Sequence, residues 1–172
     1  MVSVHDPDEY LAGAQGTADR KRRFNDVIEA YRALFELKRG GKVTAVGIGS
    51  KDWRVIREIG DQVALDWVMF ACSLTVYTHS PDLLEFIDSL RARGIGMINS
   101  AVFHAGFLTG GEWFDYRKPD LAREGALFAW RERFFSVCRR FDVKPAHACV
   151  QFGQSVPGIV ATALNTAKHQ RI

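Results

Sequence analysis

Five short apolar runs punctuate this chain, and no two neighbours are joined by a hairpin signal. Between each run and the next lies a stretch with helical spacing. Alternation of this kind calls for a parallel sheet, because parallel neighbours need a crossover long enough to bring the chain back to the same end. The plainest run is Val43 to Ile48, β-branched and apolar at both parities, which fits a strand covered on both faces. Gly47 and Gly49 leave little side chain where it ends, so a backbone or a ligand can approach there, and Ser50 supplies a hydroxyl at the rim.

The other runs are Val2-Ser3-Val4, which reads as the last half of a strand, Leu65 to Ala71, Ile95 to Asn99 and Ile159 to Leu164. Pro7 is expected to halt a strand or a helix interior. From Asn25 a helical period places Val27, Ile28, Tyr31, Leu34, Phe35 and Lys38 on one face and stops at Gly40-Gly41. Asp52 can cap a helix carrying Trp53, Ile56 and Ile59, and Ser80-Pro81 is a helix start that ends at Gly94. A longer amphipathic helix carries Leu127, Trp130, Phe134, Cys138 and Phe141, whose spacing favours core packing over a binding stripe, and Pro145 opens another to about Gln154. A doubly wound nucleotide-binding sheet would carry Gly-x-Gly-x-x-Gly, but Gly47-Ile48-Gly49 leads to Trp53 with no third glycine in place. The expected fold is therefore α/β, a parallel (β/α) barrel of the TIM type. About five β/α units are present, an incomplete barrel, with residues 1–172 as one domain.

Charge and motif content narrow the function. A net charge of +3 from 23 basic and 20 acidic residues, spread along the chain, implies no nucleic-acid partner and no anionic membrane. The run Arg20 to Arg23 reads as a solvated surface before a helix. Cys72, Cys138 and Cys149 are odd in number and lack ligand spacing, His79, His104, His147 and His169 are scattered, and Asp6, Asp8 and Glu9 read as solvated turn residues. No metal site is expected. The cysteines suit a reducing compartment, and with no apolar run near 20 residues and no leader pattern, the expected location is the cytoplasm.

At His5-Asp6-Pro7-Asp8, Gly47-Ile48-Gly49-Ser50, Phe107-Leu108-Thr109-Gly110 and Thr166 to Ile172 the sequence resembles the aldo-keto reductases. The likeness is to the aldose 1-dehydrogenase branch, with its L-fucose, D-threo-aldose, L-galactose and pyridoxal dehydrogenases. The resemblance implies a (β/α)8 barrel that holds NAD(P) at the carboxyl ends of its strands and transfers hydride to or from a carbonyl or lactol carbon. On this basis His5 matches the catalytic histidine that orients the substrate oxygen. Ser50 matches a contact to the nicotinamide carboxamide, and Lys51 stands where many relatives have asparagine. Cys72, with Ser73, falls near the nicotinamide face, and Ser100 takes the place of a ring-stacking tyrosine. Gly106 and Leu108 match the loop over the pyrophosphate. Thr166 and Arg171 match the groups that hold the adenosine phosphate, while Asn165 replaces a lysine common in NADP users and tilts the expectation from NADP towards NAD.

The family's proton-donating tyrosine, with its lysine and aspartate, belongs to segments ahead of the strand that ends in His5, so within this chain the tetrad is reduced to His5. Two readings follow. In the first the chain is part of a dehydrogenase that oxidises a sugar lactol to a lactone. In the second it is a catalytically inactive remnant, a cofactor-binding or assembly module that associates with itself or with a complementing chain.

Overall fold

The computed structural model describes residues 1–165. Thr166 and Arg171 lie outside the described residues. Five strands, β1 (Val2–His5), β2 (Val46–Ser50), β3 (Trp67–Ala71), β4 (Gly96–Ser100) and β5 (Ile159–Ala163), form one sheet in the order β1-β2-β3-β4-β5, and every pair is parallel. Between them run α1 (Pro7–Ala12), α2 (Thr17–Arg39), α3 (Trp53–Gly60), α4 (Pro81–Ala92), α5 (Gly125–Arg140) and α6 (Pro145–Ser155). Strictly sequential order means each crossover advances the sheet in one direction. With right-handed crossovers all the helices then fall on one side, the wall of a (β/α) barrel and not a doubly wound sheet.

Burial follows that plan. Along β3 and β4 the residues alternate, with Val68, Phe70 and Met97 fully buried against the helices and Trp67, Met69 and Ile98 half-buried on the opposite face. Val46 and Ile48 continue the buried row, and Tyr31, Ile56, Ile59, Leu83 and Ile87 cover it from the helices. Buried Ile and Leu side chains each contribute about 1.5–3 kcal/mol. The Tyr31 hydroxyl donates to the Gly47 carbonyl at 3.1 Å, fixing α2 to β2 while satisfying a buried polar group. On the other face the Trp67 indole lies over Gly47, where a Cβ would come within 2.2 Å of the ring. The close approach expected at Gly47 is thus made by a tryptophan.

The capping residues act as the sequence predicts. Asp52 accepts from the Arg54 amide at 3.0 Å, and Ser80 accepts from the Leu83 amide at 3.3 Å with Pro81 in the first helical position. Most strand boundaries shift by one or two residues, and three differences have a visible cause. The strand does end ahead of Pro7, and Pro7 in addition starts α1, a helix not expected from the sequence, because at the first position its missing N–H costs nothing. Helix α2 begins at Thr17 and takes in the basic run, since Asp19 pairs with Arg22 at 2.6 Å and with Arg23 at 3.0 Å, one turn away. Strand β2 begins at Val46, not Val43, because the Asp66 carboxylate accepts from the Val46 amide at 2.8 Å and from Lys38 at 2.6 Å, closing the ladder there. Trp130 and Phe134 pack on a second cluster around Phe107 and Leu108, whereas Phe141 falls just past the end of α5 and is exposed.

Candidate functional site

The loops after β1 to β4 converge at the carboxyl edge of the sheet around a groove of about 700 Å³. Asp8 sets one wall. Its Oδ2 accepts from the amides of Lys51 at 3.1 Å and Asp52 at 3.0 Å, joining the first turn of α1 to the loop after β2. Lys51 pairs with Glu9 and sits 4.6 Å over the Tyr116 ring. The Glu9 carboxylate, by its hydrogen bond, holds the lysine's pKa above its ordinary value.

The floor is built on His104, whose side chain is 2% exposed. Its Nε2 lies 2.8 Å from Thr75 Oγ1, and its Nδ1 lies 2.8 and 3.0 Å from the two Asp115 oxygens. Thr75 Oγ1 already accepts from the amides of Thr78 at 2.9 Å and Tyr77 at 3.2 Å, which fills both lone pairs. Its own proton therefore goes to Nε2, and the ring proton sits on Nδ1 and is donated to Asp115. Phe114 stacks on the imidazole at 4.7 Å, and the Tyr77 ring meets it edge-on at 5.7 Å, so the ring cannot turn.

Cys72 completes the cluster from the loop after β3. Burial first, and then the Asp115 carboxylate, push its thiol up to about 12, so it stays protonated. Burial also works to raise the Asp115 carboxyl, but the hydrogen bond from His104, with smaller help from Cys72 and Arg117, outweighs it and holds the group below the usual carboxylate range. The backbone here is strained. Among the described residues, every non-glycine residue with positive φ except Asp142 lies in these carboxyl-edge loops: Asp6, Cys72, Ala101, His104, Ala105, Asp115 and Tyr116. Such conformations cost about 1–3 kcal/mol each and gather where a site is held against local preference.

Of the residues singled out from sequence, Lys51, Cys72 and Ser73 line the groove. Ser50 lies beneath it, buried, with its hydroxyl donating to the Asp52 carbonyl at 3.1 Å. His5 ends β1 with its side chain 92% exposed, 3.4 Å from Asp6. Ser100 donates to the Phe70 carbonyl at 3.1 Å and braces β3 against β4. Gly106, at φ 96°, opens the 3₁₀ turn Phe107–Thr109, in which Leu108 is fully buried, and the amides of residues 106–111 all bond within the loop. Asn165 is exposed beyond β5. Sequence reasoning missed Asp8 as a structural anchor, and it missed His104, Asp115, Tyr77 and Tyr116. The one available signal was the long loop from His104 to Pro119, since connections of that length usually carry function.

The groove suits a polar ligand. Asp8 and Ser73 line it, and Asp8 Oδ1 and Ser73 Oγ are buried beside it without a hydrogen-bonding partner. No helix among the described residues is long and apolar enough to cross a membrane.

A groove at the carboxyl edge of a sequentially ordered parallel sheet defines a (β/α)-barrel protein with its site in the usual place. The aldo/keto reductase family matches residues 1–172, and the chain belongs to that family. It is similar to pyridoxal 4-dehydrogenase of Microbacterium luteolum, with 30% identity over 126 residues, 71% of this chain and 35% of that protein. The chain thus spans about a third of the length of the curated relative it matches.

Proposed function

We propose that this chain forms the cofactor-holding part of an NAD(P)-dependent oxidoreductase of the aldose 1-dehydrogenase type. The observation that carries the reading is the family match along residues 1–172. The carboxyl-edge groove with its two orphaned oxygens supports it. In this reading Lys51, Cys72 and Ser73 border the nicotinamide, with Ser50 and Ser100 bracing the strands beneath. Gly106 and Leu108 shape the loop over the pyrophosphate, and Asn165, Thr166 and Arg171 serve the adenosine end. The nicotinamide supplies a hydride acceptor. The substrate is a sugar lactol, which loses hydride from its anomeric carbon and a proton from its hydroxyl to become a lactone. His5 orients that oxygen, and holding both reactants is the protein's main contribution. Asn165 in place of a lysine favours NAD over NADP, since a missing cation weighs most on the extra phosphate. The relative's name points to pyridoxal as the competing substrate class. The three free cysteines suit a reducing compartment, which supports a cytoplasmic location in this reading.

A calorimetric titration of the folded chain with NAD and, separately, NADP tests the proposal. Saturable binding in the micromolar range, about −8 kcal/mol, is expected, tighter for NAD. A folded sample that binds neither overturns it. Aldoses and pyridoxal are then compared as substrates.

A second reading is favoured by a specific observation: β1 and β5 each leave one edge unpaired among the described residues, and Trp67, Met69 and Ile98 are only half-buried on the inner face. In that reading the chain binds cofactor or assembles, with a second copy or a complementing chain against these surfaces, and does not turn over by itself. Cofactor binding without turnover in the isolated chain selects it.

A further inference from the structure

We infer that Cys72, His104 and Asp115 form a binding site for one divalent metal ion of the zinc type, with a fourth position open to the groove. The inference does not depend on the proposed reaction, because its readout involves no nicotinamide.

One donor atom from each of the three lies within 4.8 Å of the others, and all three residues line the groove. Around a tetrahedral ion with bonds of about 2.0–2.3 Å, donor atoms stand roughly 3.3–3.8 Å apart. Closing on an ion therefore needs about an ångström of movement from Cys72, and the His104–Asp115 pair opens by about half an ångström. The backbone has done the larger work. Each of the three holds a left-handed conformation, at φ 59°, 47° and 45°, that non-glycine residues avoid, and it is this shape that turns the three side chains from two separate loops onto one point.

The surroundings match what a metal-bound imidazole requires. A ligating histidine donates from its other nitrogen to an outer partner, and here Thr75 Oγ1 stands 2.8 Å from Nε2; in the metal-free ring the hydroxyl is the donor, and metal binding reverses that bond. Thiol sulfur, imidazole nitrogen and a single carboxylate suit zinc or cobalt and do not suit magnesium or calcium, which prefer oxygen alone. The protons balance. Cys72 gives up its thiol proton to solvent. The His104 ring moves its proton from Nδ1 to Nε2 and donates it to Thr75 Oγ1, which releases its longer contact, the Tyr77 amide at 3.2 Å, to receive it. One proton is released per ion bound.

The test is a titration of the metal-stripped chain with Co²⁺ and then Zn²⁺. The expected result is one equivalent of cobalt giving a near-ultraviolet thiolate-to-metal band and the strong visible bands of a four-coordinate ion, all displaced by zinc. In calorimetry across buffers of different ionisation enthalpy, zinc should release one proton. Cys72→Ser should abolish the thiolate band and weaken zinc by about a hundredfold or more, and Asp115→Asn should weaken it about tenfold to a hundredfold, since even outer partners are worth about 10–100-fold. Absence of stoichiometric binding by the folded chain overturns the site, as does an unchanged band and affinity in Cys72→Ser. Should either variant lose its fold by circular dichroism, the wild-type chain decides: zinc must shield Cys72 from alkylation while leaving Cys138 and Cys149 unchanged, and equal labelling with and without zinc overturns the site.

Discussion

At the scale of single residues, two glycines two positions apart on one strand have opposite significance. A Cβ at Gly47 would lie 2.2 and 2.3 Å from two atoms of the Trp67 ring and 2.5 Å from that residue's carbonyl oxygen, and a carbonyl inside the ladder cannot withdraw. Gly47→Ala is therefore expected to cost about 1–3 kcal/mol, the range for overpacking a filled site. At Gly49 the nearest atom is Met69 Cβ at 3.7 Å, an ordinary contact, and the backbone there needs no glycine. Gly49→Ala should lie within about 0.5 kcal/mol of the wild type or slightly above it, since alanine loses less chain entropy. Urea midpoints of the two variants measure the contrast, and equal losses would contradict the assignment of Trp67 to the space over Gly47. The sequence showed only that both glycines leave room. What fills the room comes from the register Gly47↔Trp67, a pairing across strands that no local pattern reports.

At the scale of elements, the starts and stops that depend on local chemistry were legible, and those that depend on distant partners were not. Asp52, Ser80-Pro81 and Gly94 act within one turn of themselves, and each does in the structure what its residue type predicts. The start of β2 depends on Asp66, twenty positions away, so Val43 to Ala45 looked like strand although they precede it. The same reason hid the floor of the groove. His104 and Asp115 are eleven positions apart in an irregular loop, and Thr75 and Cys72 reach them from the loop after another strand. Lys51 and Cys72 were found through family likeness, which carries three-dimensional information that spacing lacks. Asp66 also gives a prediction with a pH dependence. Burial works to raise its carboxyl, but the Lys38 hydrogen bond and the Val46 amide prevail and hold it below its ordinary value. A depressed carboxyl contributes stability above the unfolded-state pKa, and this is lost as pH falls through the folded one. Asp66→Ala should thus cost about 1–2 kcal/mol at neutral pH through the lost hydrogen bonds, and the gap to wild type should close below about pH 4. Thermal melts of both proteins across that range check the sign. A gap that widens in acid would refute it.

At the scale of the whole molecule, the arrangement of the sheet sets how the chain meets other chains. A parallel sheet ordinarily has both faces covered, because its strands carry apolar side chains in both directions. Here the helices bury one face, while the other leaves Trp67, Met69 and Ile98 half-buried, and the pairing of β5 with β4 is irregular. Between Met97↔Ile159 and Ile98↔Ala161 the register slips by one, so Val160 is an extra residue without a partner, 72% exposed, with Leu164 beyond it 55% exposed. An apolar side chain on an unpaired edge attracts a further strand, and a charged residue at such a place opposes pairing. The isolated chain is therefore expected to associate with itself in a concentration-dependent way by sedimentation velocity. Val160→Lys should weaken that association by about tenfold, a difference of roughly 1.4 kcal/mol, while leaving the far-ultraviolet circular dichroism unchanged because the side chain points away from the core. A wild-type chain that sediments as one monomeric species at every concentration would remove the edge from consideration and leave the assembly reading without its physical basis. Association that survives the lysine would instead move the contact to the inner face around Trp67 and Met69, where Met69→Lys is the corresponding test.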